Sequence, residues 1–271
     1  MALSAEHSVS GSRDSRALLR SLPPRDFLVI VSALGVVTVL AWVYLVDMAR
    51  DMDAMDMSAM GRMAWTPEYF TAMLIMWVIM MVGMMVPSAI PMVLIYAAIG
   101  RKAAREGSSL APTGFFATGY ILVWSIFSVG ATIAQWALDR AALLTPMMMS
   151  NSAVFGGLLL LGAGLYQLTP VKTACLRHCR SPAQFLAHSW KQGCAGAVRM
   201  GLEHGVYCMG CCWILMCLLF FGGVMSIWWI GGLTLYVLLE KVVPFGVLGG
   251  RIVGVLAACW GISLLVSTLF P

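Results

Sequence analysis

The chain has 271 residues, of which 61% are hydrophobic and 11% charged, with a mean hydropathy of +0.88. A soluble domain of this length needs far less apolar surface, so the composition excludes an ordinary water-soluble enzyme and indicates a polytopic membrane protein. The net charge of +5 is spread over short basic segments without a dense basic face, so nucleic acid is not an expected partner.

Residues 1–25 are polar and rich in Ser and Arg, and are expected to form a disordered cytoplasmic tail. Residues 26–271 then read as a single multi-pass transmembrane domain. Seven apolar stretches, at 27–46, 69–94, 114–138, 152–170, 199–221, 227–243 and 246–269, each approach the ~20 residues that cross ~30 Å of hydrocarbon. The sixth is short, and six spans is the alternative count. The expected fold class is therefore an all-α membrane protein, a polytopic helical bundle of about seven transmembrane helices. The first stretch begins too late and runs too long for a cleaved signal peptide.

Basic residues alternate along the chain. Arg13, Arg16, Arg20 and Arg25 precede the first span, Arg101, Lys102 and Arg105 follow the second, and Lys172, Arg177, Arg180 and Lys191 follow the fourth. The intervening segments carry few cations. The positive-inside rule places the N-terminus in the cytoplasm and the C-terminus outside, in a bacterial inner membrane.

The segment 47–68 is expected to be an external Met/Asp-rich loop. Met48, Met52, Met55, Met57, Met60 and Met63 recur in it every two to four residues. Thioethers do not titrate and survive in an oxidising compartment, so this spacing suits Cu(I) capture, with Met52 and Met55 as candidate ligands. The same segment also reads as an amphipathic interfacial helix whose methionines rest on lipid.

In the second span Met73, Met76, Met80 and Met84 fall on one arc of about 80°. They read either as flexible packing or as a ladder of ligands, with Met76, Met80 and Met84 the candidates. Pro87 and Pro91 have no N–H, so the carbonyls of Gly83 and Pro87 lose their helical partners there. Gly119, Ser125, Ser128 and Gly130 in the third span, and Gly156, Gly157, Gly162 and Gly164 in the fourth, read as close-packing faces. Met147, Met148 and Met149 add thioethers to the loop between them.

The segment 171–198 is expected to be a cytoplasmic loop. In it Cys175 and Cys179 stand one helical turn apart among Arg177, His178 and Arg180, an arrangement that suits metal or redox chemistry. The fifth span holds the densest signal. Cys208, Cys211, Cys212 and Cys217, four of eight cysteines, share it with His204. On a helix His204, Cys208 and Cys211 lie within about 60° of one another, with Cys212 beside them. Thiolate and imidazole together are ligands for Cu(I) and, second, for Zn(II). Glu203 neighbours His204 and is a candidate for moving a proton, and it stands four residues from Arg199.

Met84-Met-Val-Pro-Ser-Ala-Ile-Pro-Met92, Cys175-Leu-Arg-His-Cys-Arg-Ser-Pro182 and Gly205-Val-Tyr-Cys-Met-Gly-Cys-Cys-Trp-Ile-Leu-Met216 together resemble the domain of unknown function 2182 family. Its members are described as predicted metal-binding integral membrane proteins. The resemblance implies that class and brings no substrate or reaction.

The leading expectation is a protein that binds a soft metal ion, Cu(I) first, and moves it or hands it over. Its expected partners are lipid, the ion, and a metallochaperone or larger membrane complex. No phosphorylation or Walker motif supports ATP-driven pumping. Two alternatives stay open: a transmembrane thiol–disulfide carrier using Cys208 and Cys211, with Cys259 as its intramembrane partner, and an assembly factor for a membrane complex.

Overall fold

Backbone polar groups find no water inside a bilayer, and the chain answers by pairing them within helices. The computed structural model describes residues 18–54, 64–107, 111–145, 148–243 and 245–269. The helices are α1 (Pro24–Ala54), α2 (Pro67–Arg105), α3 (Thr113–Arg140), α4 (Ala153–Gln167), α5 (Pro170–Arg180), α6 (Pro182–Ser189), α7 (Gly193–Cys217), α8 (Leu219–Gly222), α9 (Ile227–Val242) and α10 (Gly246–Leu269). No β-strand occurs among the described residues. The fold is an all-α polytopic bundle.

Several helix starts are written locally. Thr66 caps α2 by accepting from Tyr69 N at 3.3 Å, with Pro67 in the first turn. Thr169 and Pro170 repeat the device at α5, where the Thr169 hydroxyl accepts from Lys172 N at 3.2 Å. Ser152 caps α4. Each hydroxyl satisfies an N–H that has no partner in the first turn, and proline has no N–H to leave unpaired.

Among the described residues α1, α2, α3, α10 and the run Gly193–Gly222 are long and apolar enough to cross a membrane. The pair α4 and α5, bent by 64° at Leu168–Thr169, makes a sixth span if counted as one. The expected sixth span, α9, has 16 residues, or roughly 24 Å at 1.5 Å per residue, and falls short of the usual length. Exposed Leu28, Val36, Leu40 and Val43 on α1, with Ile252, Leu256, Trp260 and Ile262 on α10, form apolar faces suited to lipid.

Close helix approaches depend on small residues, as the sequence predicts. A Cβ on Gly201 of α7 would collide with the Phe116 carbonyl oxygen of α3, and one on Gly119 would collide with that of Val198. The α4–α10 contact is made the same way, with Gly164 against the Gly254 carbonyl.

Two expected loops contain helix among their described residues. Helix α1 continues to Ala54, so Met48 and Met52 lie on it and Met52 is buried. Met55, Met57, Met60 and Met63 lie outside the described residues. The segment 171–198 folds into α5, α6 and the start of α7, with α5 packed on α7. The physical reason is that Lys172, whose charge suggested a loop, is neutralised by Glu240 of α9.

The bundle has two chemically distinct ends. An ion pair between Asp26 and Arg101 joins the start of α1 to the end of α2, and Trp190 packs on Tyr96 beside them. This is the basic end. At the opposite end the Trp65 indole donates to Asp139 at 2.7 Å, and Ser150 N donates to the Phe220 carbonyl at 2.8 Å.

Candidate metal centre

The thiol of Cys208 is the centre of a buried cluster drawn from five helices. Cys211 and Cys212 follow it on α7, and both thiols donate to the Cys208 carbonyl at 3.0 Å. That carbonyl thereby turns two sulfurs back toward the first. Cys179, brought in by α5, lies with Cys211 and Cys212 against the Cys208 sulfur. From α9, the Lys241 ammonium donates to Cys208 Sγ at 3.0 Å and to Ser88 Oγ at 2.9 Å. From α3, Tyr120 Oη stands 3.1 Å from Cys208 Sγ and donates to the Met85 carbonyl at 3.1 Å. Met85 of α2 completes the cluster, its sulfur 4.0 Å from Cys212 Sγ.

Gly210 admits one more sulfur. A Cβ there would lie 2.9 Å from Cys175 Sγ, so the absence of a side chain lets α5 lay Cys175 beside Cys211. All of these cysteines are free thiols. The expected stripe on α7 and the expected pair on α5 are thus one cluster rather than two separate sites. Cys179 is half-buried on a helix packed against α7 instead of exposed on a loop.

His204 stands one turn before Cys208. Its ring is caged by Tyr120, Phe116 and Phe185, with centroids at 5.6, 6.1 and 5.9 Å. Its Nδ1 is buried without a hydrogen-bond partner. Among the described residues no group of three or more His, Cys, Asp or Glu side chains is arranged to hold a metal ion. Glu203 pairs with Lys191 and Arg199, the latter at 3.3 Å, which makes the expected four-residue pair and commits its carboxylate there.

The methionine arc of α2 faces inward: Met76, Met80 and Met84 are all buried. Pro87 frees the Gly83 carbonyl as expected, and the Trp42 indole of α1 donates to it at 3.2 Å. Cys259 is exposed on α10, which packs chiefly on α4. The thiol–disulfide alternative therefore has no partner thiol from Cys259 at Cys208.

Soft thiols and a thioether around one point suit a soft, low-coordinate cation once the thiols lose their protons, and the ammonium supplies the charge that such a cluster would then need inside a membrane. Comparison with known families bears on the ion. The family described as PpoB2, copper chaperone, matches residues 74–264. The chain belongs to this family. No curated protein and no solved structure matches it.

The copper chaperone match contains Met76, Met80 and Met84 of α2, both α5 cysteines, His204 and the α7 cysteines, and stops short of Met52, Met55 and Met73. It supports a copper-related family and does not extend to the name domain of unknown function 2182. The residues that sequence reading missed are Lys241, Ser88, Tyr120 and Met85. For Lys241 a signal existed, since an ionisable side chain in an apolar helix is a functional candidate by default.

Proposed function

We propose that this member of the family holds Cu(I) in the membrane on the thiols of Cys179, Cys208, Cys211 and Cys212, and passes it on by ligand exchange. The observation that carries the reading is the convergence of α5 and α7 thiols on Cys208, with the Lys241 ammonium beside it. Cu(I) is satisfied by two or three soft ligands, so a surplus of thiols lets an incoming sulfur bind before an outgoing one leaves. Exchange among sites of similar strength avoids a deep trap. Cys175 is the next sulfur on α5, Met85 and Met84 the next on α2, and His204 flanks the cluster. Zn(II) would require a closed tetrahedral set, a less natural use of sulfurs on separate helices. The proposed setting is a bacterial inner membrane with the basic end in the cytoplasm.

The test is Cu(I) binding to detergent-purified protein in competition with a chromogenic chelator. Cys208→Ser replaces the central soft ligand by a hard hydroxyl and should lower affinity at least tenfold, or about 1.4 kcal/mol. Cys217→Ser, on the same helix outside the cluster, should not. Equal binding by wild type and Cys208→Ser would reject the site.

A further inference from the structure

A second sulfur cluster lies at the end of the bundle opposite the basic one, away from Cys208 and the sulfurs gathered around it. Gln135 of α3 is buried, and its side-chain amide nitrogen donates to two thioethers, Met148 Sδ at 3.0 Å and Met73 Sδ at 3.6 Å. Its orientation is fixed by chemistry. The Trp77 indole can only donate, and it donates to Gln135 Oε1 at 2.6 Å, so Nε2 must face the sulfurs. A thioether is a weak acceptor, and a buried amide ordinarily finds oxygen. Here both sulfurs direct electron density at one point, and the amide hydrogens occupy it.

The backbone supports this arrangement. Met148 has φ +55, a left-handed conformation unusual for a residue with a side chain. Its N–H donates to the Thr145 carbonyl at 2.8 Å, and the flanking Leu144–Ser150 pairing closes the turn. The turn buries Met148 while its neighbour Met149 stays 42% exposed. An energetically unfavourable backbone that buries Met148 rather than Met149 argues for a role of that sulfur beyond filling space. Met76, buried one turn deeper than Met73, continues the row toward Met80, Met84 and the cysteine cluster.

We propose that Met73 and Met148 form a second site for a soft monovalent cation, Cu(I), with Gln135 occupying the ion's place until it arrives. The proposal rests on the chain's carrying Cu(I), and deepens it by naming a loading or unloading station at the opposite end. When the ion binds, the Gln135 amide swings off the sulfurs, and their lone pairs become ligands. Two neutral thioethers bind Cu(I) more weakly than thiolates, so the site exchanges quickly with a donor or acceptor and gives up its ion to the deeper cluster.

Two experiments test it. In a Cys179→Ser/Cys208→Ser/Cys211→Ser/Cys212→Ser background, Cu(I) kept reduced with ascorbate should still bind in one weaker equivalent. Adding Met73→Leu and Met148→Leu should weaken that equivalent at least tenfold, whereas Met149→Leu should leave it unchanged. Retention of the weak equivalent by the double leucine variant overturns the proposal. Should the background bind Cu(I) as tightly as wild type, the cysteine reading falls, and the leucine variants still score the second site. The other experiment needs no substitution. With wild-type protein and Ag(I) as a redox-inert probe, peroxide oxidation of Met148 to the sulfoxide, followed by mass spectrometry, should slow several-fold because the lone pair is engaged. Met149 should oxidise at an unchanged rate. Equal rates for Met148 with and without Ag(I) would refute the site.

Discussion

At the scale of single residues, Lys241 distinguishes the cysteine cluster from a group of packed thiols. An ammonium in an apolar bundle persists only where hydrogen bonds and opposite charge compensate it. Lys241 has the Ser88 hydroxyl and the Cys208 sulfur for this. A Cu(I) ion held by two thiolates leaves one net negative charge, which the ammonium offsets. Lys241→Met keeps the reach of the side chain and removes the charge. It should weaken Cu(I) binding at least tenfold in the chelator competition while leaving the bundle folded. Lys241→Arg should recover part of that loss, since charge is restored in a bulkier form. Identical affinities for wild type and the Lys241→Met variant would mean that the charge plays no part in holding the ion.

At the scale of helices, α5 shows what the sequence makes legible and what it hides. Its start is readable from Thr169-Pro170, and the one-turn spacing of Cys175 and Cys179 is borne out on a helix. Its location is not, because the group that lets Lys172 enter the bundle is Glu240, 68 residues later. No local pattern announces that pair. The α7 stripe was legible because 3.6-residue periodicity puts Cys208 and Cys211 on one face without outside help. The Gln135 pair of thioethers was not, since it needs a turn whose shape depends on contacts with Phe220 and Val224. Short α9 was visible as the weakest span, and its length explains why. The buried pair also yields a prediction. Lys172 and Glu240 are 3% and 4% exposed, so Glu240→Gln would strand a buried ammonium at a cost of about 3–5 kcal/mol. Thermal unfolding in detergent should shift down accordingly, and α5 should loosen enough for Cys179 to react with maleimide. Lys172→Met with Glu240→Leu removes both charges and should restore most of the stability. A single Glu240→Gln variant as stable as wild type would show that Lys172 reaches water.

At the scale of the whole molecule, the arrangement of ends makes the orientation testable. The start of α1 and the end of α2 meet through Asp26 and Arg101, and α6 joins them by packing on α2. The basic segments at the start of α1 and the end of α2 thus meet at one end, the condition under which the positive-inside rule acts on both together. Helix α10 runs the other way. Glu240 lies against Gly250 near its start, whereas Gly157, close to the first turn of α4, meets Gly261 and Leu265 near its finish. The chain should therefore end on the side opposite its beginning, even though α9 is too short to be an ordinary span. Fluorescent-protein fusions at the N-terminus and within 107–111 should be bright, which reports cytoplasm. Alkaline phosphatase fused after residue 271 should be active, which reports the periplasm. An inactive C-terminal phosphatase with a bright fluorescent fusion at the same point would mean that α9 turns back inside the membrane. The Lys241 end of α9 would then enter the cluster from the other side, and the path proposed for the ion from Met73 to Cys208 would have to be redrawn.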